Sequence, residues 1–157
     1  MTTTISKASV IEDIWRNFFD RLKSDITSVS TTNAGTVTIQ DYHNIASDKI
    51  IDSKTNYPFL VVEDPQIPTS QFTMTRTQID GSIRIEIYST NNQAASKFLS
   101  RIFESIETYK SDFADVGITC IDVEGTDNDF FTRNTIKGHV RSIVFSFKVR
   151  LDRTRGF

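Results

Sequence analysis

The chain has little of what marks chemically active proteins. Cys120 is its one cysteine in 157 residues, so neither an internal disulfide nor a CxxC metal pair can form. A single thiol fits folding in a reducing compartment. Its neighbours Ile118 and Ile121 place it inside a strand, where a buried and inert thiol is expected. Only two histidines occur, His43 and His139, each beside ordinary polar residues, and His139 is read as a neutral surface imidazole, because metal sites need several converging ligands. A glycine-rich phosphate loop, a G-x-S-x-G elbow and an H-E-x-x-H motif are all missing. The longest aliphatic or aromatic run, Phe59-Leu60-Val61-Val62, is far too short for a membrane span. The opening Met1-Thr2-Thr3-Thr4-Ile5-Ser6 has neither the basic nor the apolar region of a signal peptide. Charge of one sign is lacking too: 18 basic against 20 acidic residues give −2, so no overall attraction to nucleic acid is expected. These absences predict a soluble protein made inside a cell, with no membrane partner, no metal, no cofactor and no catalytic residue to name.

What is present is material for a core. Hydrophobic residues make up 38% of the chain and twelve are Phe, enough for a single domain over residues 1–157. Residues 1–8 and 152–157 are expected to be flexible ends. A first helix is predicted from Ser9, with Glu12 completing a Ser-x-x-Glu capping box and Ile11, Ile14, Trp15, Phe18, Leu22 and Ile26 forming its inner stripe. Residues 27–35 are Ser/Thr-rich without helical period, residues 36–42 alternate weakly as a strand, and residues 44–56 read as a surface loop. Residues 57–63 form a short buried-type strand opened by Pro58.

Residues 69–78 alternate Phe72, Met74 and Arg76 with Thr73, Thr75 and Thr77, and Asp80-Gly81 supplies a turn. With the strand Ile83-Arg84-Ile85-Glu86-Ile87-Tyr88 this predicts a long, protruding hairpin. Thr90 then stands as an N-cap with Gln93 three residues on, ahead of a helical stripe of Ala95, Phe98, Leu99, Ile102, Phe103, Ile106 and Tyr109. Residues 118–123 read as a strand, residues 124–134 as an acidic loop, and residues 137–151 as the longest strand. The resulting class is α+β: a mostly antiparallel, mixed sheet of four to five strands with two main helices packed on it.

The charges are segregated near the end. Residues 111–130 carry Asp112, Asp115, Asp122, Glu124, Asp127 and Asp129 and no Lys or Arg. Residues 133–157 carry Arg133, Lys137, Arg141, Lys148, Arg150, Arg153 and Arg155 against Asp152 alone. As a calcium loop starting at Asp122, the acidic run fails, because Asp127 and Arg133 stand where glycine and glutamate are required. Two readings remain open. The segments pair within one chain, opposite charges facing across strands, or they lie on opposite flanks and join neighbouring copies head to tail, the contact that closes a ring.

Four landmarks in order carry a resemblance: an amphipathic first helix, Tyr57-Pro58-Phe59-Leu60-Val61-Val62, Ile83-Arg84-Ile85-Glu86-Ile87-Tyr88 leading into a long helix, and a last strand Ile143-Val144-Phe145-Ser146-Phe147-Lys148-Val149. In this the chain resembles tail terminator (tail completion) proteins of long-tailed bacteriophages. The resemblance implies a structural, non-enzymatic virion protein at the head-proximal end of the tail, assembled in the host cytoplasm. It would form a homo-hexameric ring that caps the tail tube protein, stops tube growth, and offers a surface to the neck or head-completion protein, with DNA only passing through the lumen. The contact candidates are Phe72, Met74 and Arg76 in the hairpin, Glu124, Asp127, Asp129 and Arg133 in the acidic segment, and Arg141, Lys148 and Arg150 on the last strand. The acids would either face the lumen or meet a neighbour's basic residues. A neck adaptor of the same virion is the near alternative. A small nucleic-acid-binding module, using the basic last strand with Tyr88, Phe130 and Phe131 for stacking, is the alternative from another class.

Overall fold

The computed structural model describes residues 5–71 and 77–151. Its elements run α1 (Val10–Asp25), β1 (Ser28–Thr31), β2 (Gly35–Thr38), β3 (Asp41–His43), α2 (Asp48–Ile51), β4 (Phe59–Val62), β5 (Gln78–Ser89), α3 (Asn92–Thr108), α4 (Lys110–Asp115), β6 (Ile118–Arg133) and β7 (Ile136–Arg150). The fold is α+β. Five strands form one sheet in the order β3-β4-β5-β7-β6, antiparallel except for β3 beside β4, while β1 and β2 form a separate antiparallel pair.

Both main helices form because an apolar stripe needs a partner. Val10, Ile14, Phe18 and Leu22 are the buried side of α1; Ala94, Ala95, Phe98, Ile102 and Ile106 are that of α3. The two stripes share one core with Ile83, Ile85 and Ile87 of β5 and Ile143, Phe145, Phe147 and Val149 of β7. Phe18 ties the layers, its ring 4.7 Å from that of Phe113 on α4 and 5.9 Å from that of Phe147. Ile5 is fully buried in this core, so the flexible segment expected over residues 1–8 is already packed at Ile5. Residues 1–4 and 152–157 lie outside the described residues.

Helix starts differ in detail from the capping boxes expected. Ser9 does stand at the N-cap of α1, but its hydroxyl donates to Asp13, and Glu12 pairs with Arg16 instead of reaching back. The cap of α3 is Asn91, not Thr90: its Oδ1 accepts from the Ala94 amide at 3.1 Å. Ser89 accepts from the Asn91 amide and fixes that turn one residue later than predicted. Gln93 is thereby released to bond Thr32 on the β1–β2 hairpin.

Four element readings are corrected. The Ser/Thr-rich residues 27–35 contribute a strand, β1, whose Val29 faces Val37 across the pair. The supposed loop at residues 44–56 contains the short helix α2 and a 3-10 turn at Lys54–Asn56. Asp80-Gly81 is not a turn, since β5 runs straight through it. A Cβ at Gly81 would lie 3.0–3.1 Å from Ile67, the Gln66 carbonyl and Phe147, so glycine there admits a close neighbour inside a strand. Residues 69–71 are a 3-10 turn, and Phe72, Met74 and Arg76 fall outside the described residues. Finally, the acidic loop expected at 124–134 is a strand. The long hairpin of this fold is β6–β7, turning at Asn134, whose φ of 55° is the left-handed conformation asparagine tolerates.

Among the described residues the opposite face of the sheet is covered only at one end. There Tyr57, Phe59, Val61 and Ile136 form a small second core with Tyr88, Phe131, Ile50 and Ile51 around it. Tyr88 stacks on Phe59 at 4.7 Å and Phe131 on Tyr57 at 5.6 Å. Among the described residues the rest of that face has no layer over it, as an antiparallel sheet allows. Among the described residues no helix is long and apolar enough to cross a membrane.

Candidate assembly interface

β6 is the edge of the five-stranded sheet, and among the described residues β7 is its one strand neighbour. Its first half is irregular. Register shifts between Thr119 and Asp122, and between Val123 and Gly125, mark bulges. Cys120 sits in the first with φ 53° and is exposed, so the buried thiol expected from its isoleucine neighbours is overturned: the bulge turns it outward. Beyond the bulges, Thr126 to Arg133 pair without interruption with Ile143 to Ile136. Residues 122–130 are all exposed. Natural edge strands are usually short, broken by proline or studded with lysine, to discourage pairing with another chain. From Thr126 to Arg133, past the bulges, the strand has no such device except acid.

The basic and acidic segments do pair within the chain as strands, yet their charges do not meet. Asp127 is opposite Ser142, Asn128 opposite Arg141 and Asp129 opposite Val140. Asp127 finds Arg84 on β5 instead, at 3.5 Å. Arg133 leaves the hairpin to hold α2, contacting Asp48 at 2.9 Å and Asp52 at 2.8 Å. Its bond to Asp48, then the charges of both acids, raises its affinity for the proton further. Arg141 donates to Asn92 at the start of α3, and its Nε is buried with no partner among the described residues. Lys148 and Arg150 are exposed at the far end of β7, without an ion pair among the described residues. Glu124, Asp127 and Asp129 thus share one open strand, while the basic candidates are scattered over both sheet faces and both ends.

The open face also holds a group that the sequence reading passed over. Glu86 is 8% exposed, accepts from the Tyr88 hydroxyl at 2.9 Å, and lies 3.6 Å from Arg84. On the neighbouring chain segment, a side-chain hydrogen bond to Glu86, then burial and the Glu86 charge, push Glu63 up to about 7. Burial, the first cause, and the Glu86 charge also raise Tyr88. The alternation Arg84-Ile85-Glu86 placed both charges on the wet face, but nothing local reveals a partner at residue 63.

Glu63 should make stability fall as pH rises. Its folded affinity for the proton exceeds that of the unfolded chain, so its contribution is complete below the ordinary glutamate range and is lost as pH rises through about 7. Glu63→Gln, which keeps a hydrogen-bond donor without charge, should flatten that decline between about pH 5 and pH 8 in urea titrations. A parent and variant with parallel profiles would show that Glu63 holds no proton there.

Of the aromatics named for base stacking, Tyr88 and Phe131 have their rings committed to Phe59 and Tyr57, and Phe130 alone is open at 72% exposure. His139 lies edge-on to Phe130, and His43 edge-on to Phe59. Among the described residues no three His, Cys, Asp or Glu side chains are grouped to hold a metal ion. The arrangement offers a long backbone edge, exposed carboxylates and one exposed ring, which together suit protein contact. No protein-family model matches the chain, and a search of curated proteins returns no match.

Proposed function

We propose that this chain is a structural protein of a long-tailed bacteriophage virion, a tail terminator that works by fit and not by catalysis. Copies assemble as a ring, on this reading a homo-hexamer, on the last ring of tail-tube subunits. They stop its growth and present a surface to the neck or head-completion protein, with DNA passing through the lumen. The resemblance in element order supports this reading. The observation that carries it is the edge of β6: an unbroken strand edge from Thr126 to Arg133, lined by exposed acids. A ring of identical copies needs a surface that is left unsatisfied in one copy and repeats without closing on itself. Two β6 edges meeting each other would set acid against acid, which disfavours a two-fold pair and leaves head-to-tail contacts. Cryo-electron microscopy of the purified protein mixed with assembling tail tubes tests the proposal. Tubes of limited length, each capped at one end by a ring, are the expected outcome; tubes that grow unlimited in its presence overturn it.

A further inference from the structure

Building on that ring reading, we infer that the edge of β6 receives residues 153–157 of a neighbouring copy as an added strand. The edge is a ready template, since its outward amides and carbonyls have no strand beside them among the described residues. Along it Asp127, which Arg84 of its own chain also reaches at 3.5 Å, and Asp129 stand two residues apart and so point to one face, with Phe131 next in that row. Residues 153–157 read Arg-Thr-Arg-Gly-Phe, which in extended form puts Arg153, Arg155 and Phe157 on one face at the same spacing. Laid beside β6, the two arginines meet the two aspartates in either direction; run parallel, the segment also sets Phe157 beside Phe131. Opposite charges directly across strands stabilise and fix register.

The basic residues of β7 cannot fill this role. β7 has β5 on one side and β6 on the other, so Lys148 and Arg150 belong to a strand with no free edge. Nor can a copy serve its own edge. Asp127 pairs with Ser142, nine residues back along β7 from Leu151, about 30 Å at the rise of a strand. Arg155 is four residues beyond Leu151 and reaches at most about 14 Å from it. The donor is therefore a second copy. Each copy gives one segment and takes one, a heterologous contact that closes into a ring when the rotation suits.

The test uses the full chain and two reciprocal variants, Arg153→Glu/Arg155→Glu and Asp127→Lys/Asp129→Lys, each checked for a native far-ultraviolet spectrum. Self-association is read by sedimentation and native mass spectrometry, alone and with tail tubes. Each variant alone should weaken association about tenfold, since two opposed pairs become like-charge contacts, and the parent should weaken with added salt. A chain carrying all four changes should recover association to within about threefold of the parent, because the charges are again opposed. If Arg153→Glu/Arg155→Glu associates and caps tubes like the parent, the strand contact is wrong and the ring reading stands. If the four changes together do not restore what each pair loses, the contact is also overturned. A parent that stays monomeric with and without tubes overturns the contact and the ring together.

Discussion

Phe18→Ala should cost the protein about 3–5 kcal/mol of folding stability, among the largest losses expected from one side chain here. Phe18 is fully buried on α1, and its ring meets Phe113 of α4 and Phe147 of β7. Removing it takes away the transfer free energy of a whole ring and leaves a cavity between two helices and the sheet. None of the three can close that gap without moving the others, because interiors pack at crystal density. The aromatic contacts add a smaller part, about 0.5–1.5 kcal/mol each beyond area burial. Urea unfolding should show the midpoint falling with an unchanged slope, and the melting temperature should drop by roughly 10 °C or more for a chain of this length. Phe18→Leu, which keeps most of the volume, should cost far less. A loss below about 1 kcal/mol for the alanine variant would mean that α1 is not tied to the sheet through this ring.

The elements legible in the sequence were those with one wet face. The α1 stripe, the isoleucines of β5 and the Ile143, Phe145, Phe147 and Val149 set of β7 each bury one side, so their period survives in the residue types. β6 was hidden for the opposite reason. From residue 122 to residue 130 both of its faces are exposed, so polarity does not alternate and the run reads as a loop. What makes it a strand is its ladder with β7, which is tertiary information. Asp80-Gly81 shows the reverse error. A dipeptide that marks a turn by local chemistry is held extended because β7 pairs Asp80 with Lys148 and Gly81 with Phe147, and glycine is what the close approach of Gln66 and Phe147 admits.

The candidate contact residues were legible as charges but not as partners. That acid and base fall in successive segments is plain from residues 111–157. Sequence does not reveal that Arg133 turns back to Asp48 and Asp52, that Arg84 reaches Asp127, or that Arg141 goes to Asn92, since these pairs are 43 to 85 positions apart. Once those partners are assigned, few of the basic candidates remain to answer the acids of β6. This is why the remaining positive charge beyond β7 gains weight.

Gly138→Val should act on the contact edge as well as on stability. Gly138 is opposite Phe131 in the β6–β7 ladder, and a Cβ there would fall 2.4 Å from the Phe131 ring. The far end of the ring fills the space that a side chain at Gly138 would take, and the ring is held there by stacking on Tyr57. Valine must expel the ring, and overpacking of this kind typically costs about 1–3 kcal/mol. The displaced Phe131 leaves the second core, and the neighbouring Arg133 loses the backbone position from which it clasps α2. The tip of the hairpin loosens while the main core, built on the other sheet face, is untouched. Near-ultraviolet circular dichroism should therefore lose tyrosine signal while far-ultraviolet helicity persists. Combining it with Phe131→Ala gives the deciding measurement: with the ring gone the valine fits, so the double variant should be less destabilised than the sum of the two single losses by about 1 kcal/mol or more. Strictly additive losses would show that the glycine matters for its backbone and not for the ring above it. If the β6 edge is the joint between copies, Gly138→Val should also cap tail tubes poorly at temperatures where it remains folded, because the acids it misplaces are those a neighbour must find.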